Sequence, residues 1–199
     1  MNDVLNAISD AFFAQSILEV IAVICAILYL VLVIRENIWC WFFAFVSTAI
    51  YVYLFYSVVL LSESILNVYY LIMAVYGWWQ WHSGNSHQAV NIKKWPYSLH
   101  LQILIAVSIL VPIVGFGMSQ LGADFAYLDA LVALLAVAAT IMVAYKIFEN
   151  WYYWLVVDTL SIYLFWQKQM YLTALLFVIY IVLIFIGISS WKKLLAKQT

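Results

Sequence analysis

Apolar runs of about twenty residues alternate with short polar breaks along almost the whole chain. A bilayer core about 30 Å thick is crossed by about 20 apolar residues in helical form, so each run predicts a transmembrane helix. Seven fit: 16–34, 38–56, 63–81, 97–118, 126–145, 150–166 and 171–191. Arg35-Glu36-Asn37 closes the first span, and brief breaks at 57–62 and 119–124 separate others. Only 82–96, with Gly84, Asn85 and Lys93-Lys94, is long and polar enough to read as a loop. Pro112, Gly115 and Gly117 are expected to bend or fray the second half of the fourth span. The expected class is an all-α integral membrane protein.

Composition agrees with the pattern. The chain is 69% hydrophobic, 19% aromatic and 9% charged, whereas soluble domains carry about 25% charged residues. Residues 1–15 hold Asp3 and Asp10 but no Lys or Arg, unlike the positive start of a signal peptide, and read as a short extracytoplasmic tail. With seven spans, one side receives Arg35, Lys93, Lys94, Lys146, Lys192, Lys193 and Lys197, and the other only Lys168. Cytoplasmic loops collect cations, so the amino terminus is expected outside and 192–199 is expected to form a basic cytoplasmic tail. A net charge of −1 without a basic arm gives no reason to expect nucleic acid.

Several chemistries find no support. Cys25 and Cys40 lie in or at the rim of spans without a CxxC, so neither a disulfide nor a metal site is expected. His82, His87 and His100 fall between or at the edges of spans and read as solvated or interfacial. No H-E-x-x-H, G-x-S-x-G or phosphate-binding Gly loop is present, so neither an enzyme nor a cofactor is expected. A retinal receptor needs a Lys in its last span, and 171–190 has none. A receptor or scaffold remains a third reading, against which stands the lack of a sizeable loop or tail.

The chemistry concentrates in 149–163, where Asp158 sits among aromatic and apolar residues. Asp at the centre of a membrane helix costs roughly 2.5–3.5 kcal/mol, so its presence points to function. Helical spacing aligns Trp154, Asp158, Ser161 and Phe165 on one side, and Glu63, Asn67, Tyr70, Ala74 and Trp78 on one side of the third span. Thr173, Phe177 and Tyr180, with Tyr171 near them, and Trp41, Phe45 and Thr48 make similar lines on the seventh and second spans. Polar groups gain nothing from lipid, so these faces are expected to enclose a wet, aromatic cavity suited to a flat organic cation.

The candidate substrate contacts are Trp41, Phe45, Asn67, Tyr70, Trp78, Trp154, Asp158, Ser161, Phe177 and Tyr180. Glu19, Glu63 and Asp129 are candidate rim residues along the approach. Trp39, Trp79, Trp81 and Trp151 read as interfacial anchors, while Trp41, Trp78 and Trp154 suit either purpose. Ala126, Ala130, Ala133 and Ala136 or Val137 form a small-residue packing face.

Shifting the chain by 113 residues aligns Glu36-Asn37 with Glu149-Asn150, Trp41 with Trp154 and Trp78 with Trp191. Residues 16–81 and 126–191 then form two parallel three-helix repeats joined by the connector 97–118, a 3+1+3 arrangement. Asn67-Val68-Tyr69-Tyr70, Tyr76-Gly77-Trp78-Trp79-Gln80-Trp81 and Glu149-Asn150-Trp151-Tyr152-Tyr153-Trp154 through Ser161 carry a resemblance to the PnuC family of bacterial vitamin transporters. The likeness covers nearly the whole chain. It implies a SWEET-like fold in the bacterial inner membrane, a trimer, and facilitated diffusion of an unphosphorylated vitamin trapped by a cytoplasmic kinase. In the nicotinamide riboside branch the position of Asn67 is usually Gln, one methylene longer. Thiamine is therefore the favoured cargo and nicotinamide riboside the alternative.

Overall fold

The computed structural model describes residues 17–57, 61–82, 91–168 and 170–198. The expected tail 1–15, the link at 58–60 and most of the loop, His87 included, lie outside the described residues. Seven helices follow in order: α1 (Ile17–Ile34), α2 (Cys40–Ser57), α3 (Leu61–His82), α4 (Tyr97–Gln120), α5 (Ala126–Ala144), α6 (Asn150–Gln167) and α7 (Tyr171–Gln198). Four of them, α1, α4, α5 and α7, are long and apolar enough to cross a membrane, and α2 is a shorter apolar helix. The other two, α3 and α6, carry Glu63, Asn67, Asp158 and Ser161, which face the interior.

Burial follows solvation by lipid rather than by water. Ile, Leu, Val and Phe side chains cover the outside, Leu101, Ile105, Ile109, Ile113 and Phe116 of α4 among them. Ser47, Asn67, Thr140, Asn150, Asp158 and Ser161 are buried. The small face of α5 is as expected, with Ala126, Ala130 and Ala136 packed inside.

Consecutive helices pack as α1 on α2 on α3 and as α5 on α6 on α7, with α4 laid against α5. The two groups meet along α3 with α5 and along α1 with α7. Each ends its first helix in the same turn. Glu36 and Lys146 both have φ of +52°, and Asn37 N–H donates to Leu32 O at 2.9 Å as Ile147 N–H donates to Met142 O at 2.8 Å. This is the helix-ending motif in which a left-handed residue satisfies orphan carbonyls.

The packing behind those turns matches too. Trp41 lies flat against Gly77 and edge-on to Trp81 at 5.5 Å. Trp151 lies flat against Gly187 and edge-on to Trp191 at 5.3 Å. No larger residue fits under either indole, because an added Cβ would penetrate the ring. The Trp81 indole N–H donates to Ala144 O and the Trp191 indole N–H to Val33 O, each reaching into the other group. The turns, the glycines and the indoles correspond 110 residues apart, the interval between Glu36 and Lys146. The expected interval of 113 is therefore corrected. It matched the letters Glu-Asn, but Glu36 occupies a left-handed turn position whereas Glu149 stands at φ −66° immediately before α6. A three-residue slip is close to one helical turn, so it keeps faces roughly aligned while misplacing every contact.

Other boundaries also move. The last helix continues through Trp191 to Gln198, so most of the expected separate basic tail is helical. The fourth runs unbroken through Pro112 to Gln120 rather than fraying. Trp81 and Trp151 are buried inside the bundle and are not interfacial anchors. Trp39 and Trp79 are exposed, as anchors would be.

Candidate functional site

Between the two helix groups lies a cavity of about 920 Å³, lined by residues of all seven helices. At one end the lining residues Val33, Trp41, Val143 and Trp151 are buried in a core they share with Ile34, Trp81, Ala144 and Trp191, on the side of the molecule that carries Arg35 and Lys146. At the opposite end the lining reaches Glu19, Glu63 and Asp129. All the charged residues of the lining are acids: Glu19, Glu63, Asp129 and Asp158.

The most informative wall is α6. Trp151, Trp154, Asp158 and Ser161 recur three or four residues apart, with Asn150 four before Trp154, so one side of the helix presents an amide, two indoles, a carboxylate and a hydroxyl. Asp158 is 3% exposed, and no described residue hydrogen-bonds to its carboxylate. A carboxylate buried without a partner is costly to ionise, so its charged form is favoured only where a countercharge enters the cavity. Tyr70 and Tyr180 lie within electrostatic reach of it.

Three further buried polar atoms on this lining have no partner: the indole nitrogens of Trp41 and Trp151, and Asn150 Oδ1. Asn150 uses its Nδ2 to cap Ile147 O at 2.6 Å, which fixes the amide so that its oxygen is the free acceptor. Asn67 is held differently. Its Nδ2 donates to Glu63 O one turn earlier at 2.9 Å, leaving its oxygen as the available group. Thr48 and Thr140 likewise donate back to Ala44 O and Ala136 O, so their oxygens remain acceptors.

Most of the residues expected from the sequence come together here. Trp41, Asn67, Tyr70, Trp154, Asp158, Ser161, Phe177 and Tyr180 all line the cavity. Phe45 and Trp78 do not, and both are corrected. Phe45 is 43% exposed on the outer side of α2, where the inward face runs through Trp41, Ala44, Thr48 and Tyr51. Trp78 packs edge-on against Trp39 at 5.4 Å, because Gly77 and Trp81 continue the inner face of α3 instead. Tyr29, Tyr51, Asn150 and Trp151 line the cavity without having been expected as substrate contacts. The signal for Asn150 was present in the sequence: an amide opening an otherwise apolar, aromatic span.

The rim differs from an open acidic funnel. Lys168 Nζ lies 3.3 Å from Glu63 Oε1 and 3.2 Å from Asp129 Oδ2, tying α3 to α5. His100 is also not a solvated side chain. Its Nδ1 is 3.1 Å from the Tyr153 hydroxyl and its Nε2 is buried. Cys25 and Cys40 are both free, and no metal-binding group of three or more His, Cys, Asp or Glu occurs among the described residues.

Comparison with known proteins places this architecture. The family model for "Nicotinamide mononucleotide transporter" matches residues 16–193. The chain belongs to the PnuC nicotinamide mononucleotide transporter family. Members of this family are transporters, not enzymes. Among curated PnuC relatives, the "Nicotinamide riboside transporter PnuC" of Escherichia coli (strain K12) is 24% identical over 87% of this chain and 82% of its own length. The protein of the same description from Neisseria mucosa is also 24% identical, over 98% of this chain and 79% of its own. A solved structure described as "Crystal structure of the Vitamin B3 transporter PnuC" superposes with a TM-score of 0.78 at 22% identity, covering 98% of this chain and 91% of that one. That likeness establishes the PnuC fold. A multi-pass membrane transporter accounts for the lipid-like exterior and the polar interior together.

Proposed function

We propose that the cavity carries nicotinamide riboside, an aromatic cation, into the cell by facilitated diffusion. The observation that carries the reading is Asp158, a buried carboxylate without a hydrogen-bond partner among the described residues, facing an aromatic cavity whose charged residues are all acidic. A pyridinium ring fits between indole and phenol faces, where each desolvated cation–π contact contributes about 2 kcal/mol. The ribose hydroxyls suit Ser161, and Asn150 Oδ1 with the Trp41 and Trp151 indole N–H groups, buried without partners behind the lining, become available to its oxygens as that end loosens. A phosphorylated nucleotide fits less well, since the lining has no Lys or Arg to meet a phosphate.

The sequence favoured thiamine, on the ground that Asn67 is too short for a ligand placed for Gln and that amides are scarce. Both grounds weaken. The Asn67 amide is engaged with its own helix, and Asn150 supplies a second amide in the cavity. The relatives named above are described as riboside transporters, which favours the riboside as cargo here.

The reading includes seven membrane crossings with the amino terminus outside, two parallel three-helix repeats and α4 as connector. The riboside enters past Glu19, Glu63 and Asp129. Rocking of one repeat against the other opens the end that carries Arg35 and Lys146, and a cytoplasmic kinase traps the product. A trimer is part of the same proposal.

Calorimetry on the purified protein, with nicotinamide riboside and thiamine tested separately and in competition, decides the cargo. Riboside binding unaffected by thiamine supports the reading, and tight thiamine binding with no riboside response overturns it. Liposome flux then separates a transporter of this ligand from a receptor that binds it without moving it.

A further inference from the structure

We infer that the Glu36–Lys146 ion pair is the latch that keeps the cavity shut at its basic end. Lys146 Nζ lies 3.0 Å from Glu36 Oε2, with side-chain exposures of 7% and 21%, so the pair is largely removed from water. It joins the turn after α1 to the turn after α5, one from each helix group. The only other ion pairs among the described residues use Lys168, at the far end of the cavity.

The backbone points the same way. Both partners occupy the left-handed region at φ +52°. Glycine takes that conformation at no steric cost, whereas a residue with a Cβ is strained there. If these turns served only to end helices, glycine would suffice at both. Strained positions that carry long, oppositely charged side chains aimed at each other indicate that the side chains are used.

The surroundings complete the latch. The ammonium also sits over the Trp81 ring at 4.5 Å, and the Trp81 indole N–H donates to Ala144 O two residues before Lys146. The charge therefore clamps the same seam that the indole closes. For cargo to leave at this end, the ends of α1 and α5 must part. The ion pair spans that gap and must break first. Substrate seated against Trp41 and Trp151, directly behind the latch, is then released on one side only.

Cys40 offers a reporter already in place. It is free, fully buried, adjacent to Trp41 at the closed end, and within electrostatic range of Lys146. In a Cys25→Ala background, a membrane-impermeant, cationic methanethiosulfonate is applied to vesicles from the basic side, and the Cys40 labelling rate is measured. Labelling follows the fraction of open protein. Glu36→Gln and Lys146→Met are each expected to raise the rate at least about tenfold. The charge-exchanged double variant Glu36→Lys/Lys146→Glu and the conservative Lys146→Arg should return it toward the parent. Glu36→Gln and Lys146→Met labelling at the parental rate overturn the latch, as does a double variant that labels as fast as they do. If one of Glu36→Gln and Lys146→Met does not fold, the labelling rate of the other decides. The inference rests on the transport reading, but labelling needs no substrate, so failure to bind the riboside would overturn the cargo alone.

Discussion

Helices α2 and α6 occupy matching places, each beginning with an indole clamped over a glycine of the following helix, yet they present different chemistry to the cavity. At the interval of 110 residues, Asn150 matches Cys40, Trp154 matches Ala44, Asp158 matches Thr48 and Ser161 matches Tyr51. The Trp-Gly-Trp packing recurs where the two groups make the same turn and pack in the same way. For the proposed cargo, a small and asymmetric molecule, duplicated contacts would gain nothing. One helix therefore carries the charge and the amide, while Ala44 on the other leaves room and Tyr51 supplies a ring.

The largest expected effect comes from removing that asymmetry at its charged point. Asp158→Asn keeps the volume and abolishes the countercharge for a cationic ligand. Truncating one partner of a buried charge pair costs about 2–5 kcal/mol, so riboside affinity should fall at least about 30-fold by calorimetry. Unchanged affinity would remove Asp158 from the site. The exchange Thr48→Asp/Asp158→Thr sharpens the point: it restores the net charge on the opposite wall. Recovery to near parental affinity would mean that the cavity reads charge alone, whereas a persistent loss means that position matters.

A smaller effect tests what the helices share. Gly77→Ala and Gly187→Ala each drive a methyl into an indole, Trp41 and Trp151 respectively. Overpacking a filled site costs about 1–3 kcal/mol, and the better helix propensity of Ala returns up to about 1 kcal/mol. A net loss of about 1–2 kcal/mol is expected for both, read as matched drops in thermal unfolding temperature in detergent. If one variant is silent and the other severe, the two groups are not equivalent and the proposed repeat fails.

The sequence made the architecture legible because lipid imposes a simple rule: long apolar runs become helices, and every described helix except the last, which continues past 191 to Gln198, falls within a few residues of its expected span. The inward stripe on α6 was legible for the same reason, since Asp158 and Ser161 have no business in lipid. Choosing among chemically equal residues was harder. Trp78, Trp79 and Trp81 differ only in angle around α3, and it is the indole of Trp41 seated on Gly77 that fixes which of them turns inward. Phe45 lies one step off the inward face of α2 by the same kind of error. The latch was hidden more deeply. Glu36 and Lys146 are far apart in sequence, each looks like an ordinary loop charge, and only the folded turns bring them together.

The smallest expected effect concerns Asn150, where α6 has an amide and α2 has Cys40. Asn150→Cys gives α6 the side chain of its counterpart at similar size. It removes Oδ1, the unpaired acceptor, and Nδ2, which caps Ile147 O. Losing one neutral hydrogen bond to a ligand hydroxyl costs about 0.5–1.5 kcal/mol, so riboside affinity should fall roughly 3- to 10-fold. Thermal stability should fall by less, because α2 begins in the same way without any amide there. A drop in stability with no change in affinity would make Asn150 a helix cap and nothing more. The difference between the two helices would then rest on Trp154, Asp158 and Ser161, all within the middle turns of α6, and the ribose would need its acceptors from elsewhere, with the Asn67 oxygen as the next to test.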